Sequence, residues 1–203
     1  MLRSLLLCPL LAIVALNGCS PDTATNNSAT KTDDPSQPVV TIVPDRDPSE
    51  AQREKMLAAK QALFTQLSGR LQQAMQTAGP AAAISVCKNE AAKIAEEVGQ
   101  QHGVSIGRSG VRLRNPNNLP PTWATELVSQ KSSEPVFVTL SNEHAAALLP
   151  IKLQSQCLMC HGPAEQIAPV ISEQLSKLYP QDEAVGFKEG ELRGWFWIEM
   201  PNA

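Results

Sequence analysis

The chain has 203 residues with a formal net charge of −3, and 42% of its residues are hydrophobic. This balance is typical of an ordinary globular protein. The basic residues are dispersed along the sequence, so nucleic-acid binders that rely on a strongly basic surface are excluded.

Residues 1–18 have the features of an export signal. Met1-Leu2-Arg3 supplies a short positive region, and residues 5–16 form an apolar core too short to span a bilayer stably. The tetrapeptide Leu16-Asn17-Gly18-Cys19 resembles the lipobox of bacterial lipoproteins, in which the cysteine is lipidated. An ordinary secretory peptide cleaved near Gly18 is the alternative. We expect a periplasmic protein whose contact with the membrane is a lipid on Cys19.

Residues 19–49 predict a disordered tether that follows the lipidated cysteine. They are rich in Thr, Asn, Ser, Asp and Pro and contain few groups able to form a core. Ser20, a non-acidic residue after the cysteine, favours the outer membrane. The run 39–43 is β-prone and can add a strand, although Pro38 and Pro44 flank it.

The first part of the domain, which we assign to residues 50–203, reads as helical. Apolar residues recur at helical spacing through residues 50–77, so a long amphipathic helix is predicted there. A second helix starts at Pro80 and continues to about residue 98, with Cys87 on its apolar stripe. Residues 104–113 then alternate as a strand does.

The second part mixes short elements. Residues 114–121 are dense in turn formers, a short helix holds Trp123, and 135–140 reads as a strand. Residues 169–178 predict a helix and 192–200 a strand that is apolar on both faces, one of which a porphyrin could cover. Helices followed by strands mixed with helices argue for an α+β fold with a small antiparallel sheet.

Two cysteines and a histidine form the main chemical motif, Cys157-Leu158-Met159-Cys160-His161. Two thiols three positions apart can reach both vinyl groups of a haem, and the histidine after the second is placed to coordinate the iron. A structural zinc site would need two further ligands at comparable spacing, and a redox dithiol would not need the histidine. The motif therefore predicts one covalently bound haem c with His161 as the proximal ligand.

The sixth iron ligand has several candidates in the sequence. Met56 and Met75 lie on the stripe of the first helix, where methionine is usually core filler, while His102 and His144 lie in polar turns. Cys87 combines an inward face with a thiol that no other feature explains. A small buried hydrophobe is the alternative interpretation of Cys87, so the residues alone leave the ligand open.

Segments along most of the domain, together with the haem motif, carry a family resemblance. They are residues 79–87, 103–109 and 113–118, Trp123, Tyr179-Pro180, Gly186, Gly190 and Arg193-Gly194. In order along the chain, they resemble a family of bacterial c-type haem domains with a PAS-like fold. Members occur free-standing and as input domains of sensors, and the function of most is unassigned. The resemblance implies a PAS-like sheet flanked by helices, a long N-terminal helix, and iron held by His161 and Cys87.

Two arginines near the Asn-rich turn are candidate partners for the haem propionates. Arg112 and Arg114 carry the planar guanidinium that pairs well with carboxylates. The alternative is a turn held by asparagine side chains with solvated arginines.

Three functions are compatible with such a site. The first is a non-enzymatic cytochrome for one-electron transfer or redox sensing, because a six-coordinate iron leaves no position for a substrate. The second is a gas-sensing module in which Cys87 exchanges for a diatomic ligand, and the third is a peroxidase-type enzyme. No transmitter segment follows residue 203, so a sensor would signal through a separate partner protein, and a cytochrome would need a redox partner.

Overall fold

The computed structural model describes residues 38–202. The predicted export signal, Cys19 and the tether up to residue 37 lie outside the described residues. Five strands and six α-helices form the described part, together with 3₁₀ turns at Thr122–Ala124, Ser155–Cys157 and Ala164–Gln166. In chain order they are β1 Ile42–Val43, α1 Glu50–Ala78, α2 Pro80–Asn89, α3 Ala91–His102, β2 Ser105–Gly110, α4 Thr125–Ser129, β3 Val136–Leu140, β4 Ala145–Lys152, α5 Leu158–His161, α6 Pro169–Leu178 and β5 Leu192–Met200.

A single sheet organises the domain. Its strand order is β1-β3-β4-β5-β2, and every neighbouring pair is antiparallel. This confirms the predicted α+β class with a small antiparallel sheet, while the finer PAS-like classification stays a prediction.

Helix α1 packs its apolar stripe on one face of the sheet. Ser49 starts the helix with a capping box shared with Gln52, as expected for a serine followed three residues later by a glutamine. Met56 and Leu63 are fully buried and pack in one cluster with Phe196 of β5. The predicted helix over 50–77 is confirmed to within one residue.

The second predicted helix is two helices, because the chain bends at Glu90. The Glu90 carboxylate accepts two hydrogen bonds from Arg70 of α1, at 2.7 and 2.9 Å. The bend lets Ile84 of α2 pack against α6 while Val98 of α3 packs into the core on the sheet. The apolar stripe runs through both helices, so a prediction based on helical periodicity alone missed the break.

Strand β4 was missed by the sequence analysis, which left the residues before the haem motif unassigned. Three alanines and Pro150 make the segment a poor strand by propensity. However, the pairing of β3 with β4 ends at Leu148, so Pro150 lies where β4 has only β5 beside it. Its missing N–H is therefore not needed for the ladder.

The second face of β5 is covered by protein. Trp195 is fully buried, and its Nε1 donates to the carbonyl of Ser132 at 2.6 Å. Trp123, Leu127 and Val40 belong to the cluster around it. The expectation that a porphyrin could cover this face is thus wrong: the segment around α4 covers it instead.

Residues 38–49, which we placed in the tether, form part of the folded unit. Ile42 and Val43 pair with Leu140 and Thr139 of β3, and Arg46 accepts a backbone hydrogen bond from Thr139. The compact unit therefore begins at Pro38 rather than at residue 50. No helix in the described range has the length and apolar character needed to cross a membrane.

Gly194 allows β2 and β5 to approach closely, which gives a stability prediction. A Cβ there would lie 2.7 Å from the Cα of Gly110 and closer still to the carbonyl oxygen of Ser109. We expect Gly194→Ala to destabilise the protein by about 1–3 kcal/mol, because both opposing atoms are backbone. Chemical denaturation followed by circular dichroism measures this change.

Gly69→Ala is the matched control for that substitution. Gly69 lies on an exposed turn of α1 with no atom within 4 Å of a new Cβ. The change should stabilise the protein by roughly 0.5–1 kcal/mol, since alanine favours helix over glycine. Equal effects of the two substitutions would contradict the close approach at Gly194.

Candidate functional site

The Cys-x-x-Cys-His motif lies on one short helical segment. The 3₁₀ turn Ser155–Cys157 leads directly into α5, so Cys157 and Cys160 are one helical turn apart. Cys157 packs beside the cluster of Leu153, Ala184 and Phe187, and Cys160 packs beside the cluster that contains Ile84 and Tyr179. The two thiols therefore emerge on one side of the segment and are both partly buried.

A second segment, residues 182–187, runs along the motif and holds it; we call it the cradle. Ala184 accepts a hydrogen bond from His161 Nδ1 at 2.7 Å. The backbone N–H of Phe187 donates to the carbonyl of His161 at 2.9 Å, and that of Gly186 donates to Gly162 at 2.7 Å. The Phe187 ring meets the imidazole edge-on, with centroids 6.4 Å apart. This arrangement fixes the ring and leaves Nε2 as the ring nitrogen that could bind a metal.

His161 is held in its neutral form. Burial, followed by the positive charges of Arg114 and Arg193, lowers the pKa of His161 to about 3, although the hydrogen bond to Ala184 opposes that change. Above that pH the imidazole is uncharged and keeps a lone pair on Nε2. A neutral imidazole is the form that binds a metal.

Arg114 clamps the motif to the cradle. Its Nε donates to Asp182 Oδ2 at 2.9 Å, and Nη2 donates to the carbonyls of Cys160 at 2.5 Å and Ala184 at 3.3 Å. Asp182 in turn accepts from the backbone N–H of Ala184 at 2.8 Å. The side chains of this ion pair are 9% and 10% exposed. Arg114 thus positions the haem motif, and its predicted contact with a propionate stays a prediction.

Cys87 reaches the same region from α2. Ile84, one turn earlier on the helix, belongs to the buried cluster beside which Cys160 packs. Burial raises the pKa of the Cys87 thiol, while Arg108, Arg114 and Arg193 act in the opposite direction. Burial raises the pKa of Cys160, and a negative charge on Cys87 raises it further. The two sulfurs therefore lie within electrostatic reach of each other.

Tyr179 lies between α6 and this region. It is 4% exposed, its ring faces the ammonium of Lys88 at 5.1 Å, and burial and then Cys87 raise its pKa to about 12. Its hydroxyl therefore remains a proton donor at physiological pH.

The other candidate ligands do not share this location. Met56 is buried between α1 and the sheet, and Met75 is exposed on α1. His102 ends α3. His144 precedes Ala145, which pairs with Met200, the last residue of β5. The cradle leads into the other end of that strand, at Leu192.

Two arginines were not among the predicted site residues, although both fall in segments that carry the family resemblance. Arg108 lies on β2 and Arg193 on β5, and their charges act on both His161 and Cys87. Arg193 donates from Nη1 to the carbonyl of Arg112 at 2.9 Å, and its guanidinium lies 5.6 Å from the centre of Phe187. Apart from that resemblance, the sequence shows Arg108 and Arg193 only as charged residues within predicted strands.

Arg112 has a more open position than Arg193. Its guanidinium stacks 3.8 Å from the centre of the Phe187 ring. With Phe187, Lys131 and Leu192 it lines a cleft of about 540 Å³. Its predicted contact with a propionate stays a prediction.

The Arg114 clamp leads to a prediction about the rigidity of the motif. Asp182→Asn keeps the shape of the side chain but leaves a buried guanidinium uncompensated, which typically costs about 3–5 kcal/mol. Glu143→Gln removes one partner of an exposed ion pair with Arg46 and should change stability little. Thermal unfolding of both variants beside the native chain measures the difference, and similar losses would contradict the role of the clamp.

Comparisons with known proteins place the chain in a family. The Tll0287-like family model matches residues 45–201. The crystal structure of the cyanobacterial heme-protein Tll0287 has a similar fold, with a TM-score of 0.56 and 23% identity over 77% of this chain and 98% of that one. No curated protein matches. The match over most of the described domain shows that the chain belongs to the Tll0287-like family.

Proposed function

We propose that this chain is an exported c-type haem protein that carries one covalently bound haem and acts in one-electron transfer or redox sensing without catalysis of its own. Cys157 and Cys160 hold the ring, His161 is the proximal ligand of the iron and Cys87 the distal one. The observation that carries the proposal is the fixed, neutral His161 beside two thiols one helical turn apart.

The chemistry of the donor set fits such a group. Cys157 and Cys160 are free thiols, as the attachment reaction requires, and they flank the same short helix as the ligand nitrogen. His161 Nδ1 is bonded to a backbone carbonyl rather than to a carboxylate, so the imidazole stays neutral and can bind a metal through Nε2. The family match and the similar structure, a heme-protein that carries the name of the same family, also support a haem.

Cys87 supplies the second ligand of the iron from α2, whereas His161 lies on α5. Its helix packs against α6 through Ile84 and through a hydrogen bond from Gln174 Nε2 to Ser85 Oγ at 3.2 Å. Burial raises the pKa of the Cys87 thiol, and the three arginines oppose that change, in the direction of the thiolate that binds iron. Iron held between an imidazole and a thiolate supplies one-electron chemistry at low potential.

The proposed cellular location rests on the sequence. The leader at residues 1–18 and the cysteine at position 19 support a periplasmic protein anchored by lipid, in the outer membrane by preference. A separate redox partner or transmitter protein would receive the electron or the signal. The antiparallel sheet with α1 and α3 on one face is compatible with the PAS-like arrangement that we also propose.

Attachment of the haem is tested with the two motif cysteines. The native chain, expressed with export and cytochrome c maturation, should give a pyridine haemochrome spectrum typical of thioether-linked haem that resists acid-acetone extraction. Replacing both Cys157 and Cys160 by alanine should make the haem extractable. A control with both Ser155 and Ser172 replaced by alanine should retain it, and an extractable haem in the native chain would refute covalent attachment.

The distal ligand is tested with Cys87→Ala. We expect altered ferric optical and EPR spectra and much faster binding of carbon monoxide to the ferrous form, because an axial position is opened. Asn89→Ala, an exposed position at the end of the same helix, is the matched control and should leave both unchanged. Identical ferric spectra of Cys87→Ala and the native protein would exclude the thiolate ligand. Rapid binding of carbon monoxide to the native ferrous protein would favour gas sensing.

A further inference from the structure

The candidate site holds more buried positive charge than its protein anions balance. Arg108, Arg114 and Arg193 all act on both His161 and Cys87. Asp182 is the carboxylate in ion-pair contact with them, and it is bound to Arg114. Within residues 38–202 neither Arg108 nor Arg193 forms an ion pair. Two guanidinium groups are therefore left beside the ligand residues.

Arg193 shows this imbalance at a single atom. Its Nε is buried and has no hydrogen-bond partner among the described residues, although Nη1 is bound to the carbonyl of Arg112. Burying a donor of a charged group without a partner is costly, so such a group normally faces a ligand or an anion. Burial, together with Arg114 and Arg108, lowers the pKa of Arg193 to about 10, which leaves the group charged near neutral pH.

Arg108 approaches from the neighbouring strand. It pairs in register with Phe196 of β5, on the sheet face to which Ile106 and Ile198 also belong, and α3 packs on that face. Burial lowers the pKa of Arg108, and the anionic forms of Cys87 on α2 and Tyr179 at the end of α6 oppose that change. Arg108 and Arg193 therefore reach the site from two adjacent strands.

We propose that Arg108 and Arg193 bind the two propionates of the haem, an inference that rests on the proposed function. Two carboxylates would balance these two guanidinium groups and give Arg193 Nε its missing acceptor. A guanidinium fork matches a carboxylate in geometry and in charge. Arg114 is already engaged with Asp182 and with the backbone of the motif. Arg112 is stacked on Phe187 beside an open cleft.

The test compares four glutamine variants of the haem-loaded, full-length protein. Arg193→Gln and Arg108→Gln should each lower the reduction potential, because a positive charge near the haem is lost and the ferric form is favoured. Each should also shift the propionate bending bands in the resonance Raman spectrum. The remote, exposed Arg46→Gln is the control and should leave both readouts close to native. Arg112→Gln is the comparison for the stacked arginine and should move the propionate bands less than either of the first two variants.

Arg193→Lys separates charge from packing. It should retain most of the native potential, since an ammonium preserves the charge, while the propionate bands move because the planar fork is lost. If Arg193→Gln fails to accumulate as a folded protein, Arg193→Lys alone still decides through its Raman bands. Unchanged propionate bands in a folded, haem-loaded variant overturn the assignment of that arginine.

Other outcomes distinguish this inference from the proposed function. A shift in Arg112→Gln as large as that in Arg193→Gln would return the propionate site to the arginine suggested by sequence. A change confined to the iron–sulfur vibration in Arg108→Gln would assign that arginine to the Cys87 thiolate and overturn its half of the proposal. If the native chain lacks haem, both the function and this inference fail, whereas the Raman results bear on the inference alone.

Discussion

The buried ion pair between Arg114 and Asp182 is the interaction on which the site depends. A buried pair stabilises a fold only when its remaining donors and acceptors are satisfied. Here Arg114 also donates to the carbonyls of Cys160 and Ala184, and Asp182 also accepts from Ala184. The same carbonyl of Ala184 orients His161. The orientation of His161 is thus coupled to a polar network that tolerates little displacement.

Sequence periodicity predicted the helices and strands whose buried residues follow that same periodicity. Helices α1 and α6 and strand β5 have one continuous buried stripe or alternation, and the predicted bounds agree with the structure to within one residue. The bend at Glu90 and strand β4 were missed because distant contacts determine them. Arg70 fixes the bend, and the early end of β3 makes Pro150 acceptable.

The candidate site divides in the same way. The spacing of Cys157, Cys160 and His161 predicts a haem motif, and helical periodicity predicts an inward face for Cys87. The positions of the arginines could not be predicted, because an arginine in a strand gives no sign of whether it will be buried. Arg112 and Arg114 were chosen for their nearness to a turn, whereas the unpartnered Nε belongs to Arg193, about eighty residues later in the sequence.

The break at Glu90 separates two helices, α2 and α3, that pack on different surfaces. Helix α2 packs against α6 and the end of α1, while α3 and most of α1 lie on the sheet core. Opening α2 would expose the contacts of Ile84 and Val86 but leave Val98 and Met56 in place. Cys87 therefore lies on a ten-residue helix whose opening would leave the sheet core in place, so any ligand bond that it makes would depend in part on the local stability of that helix.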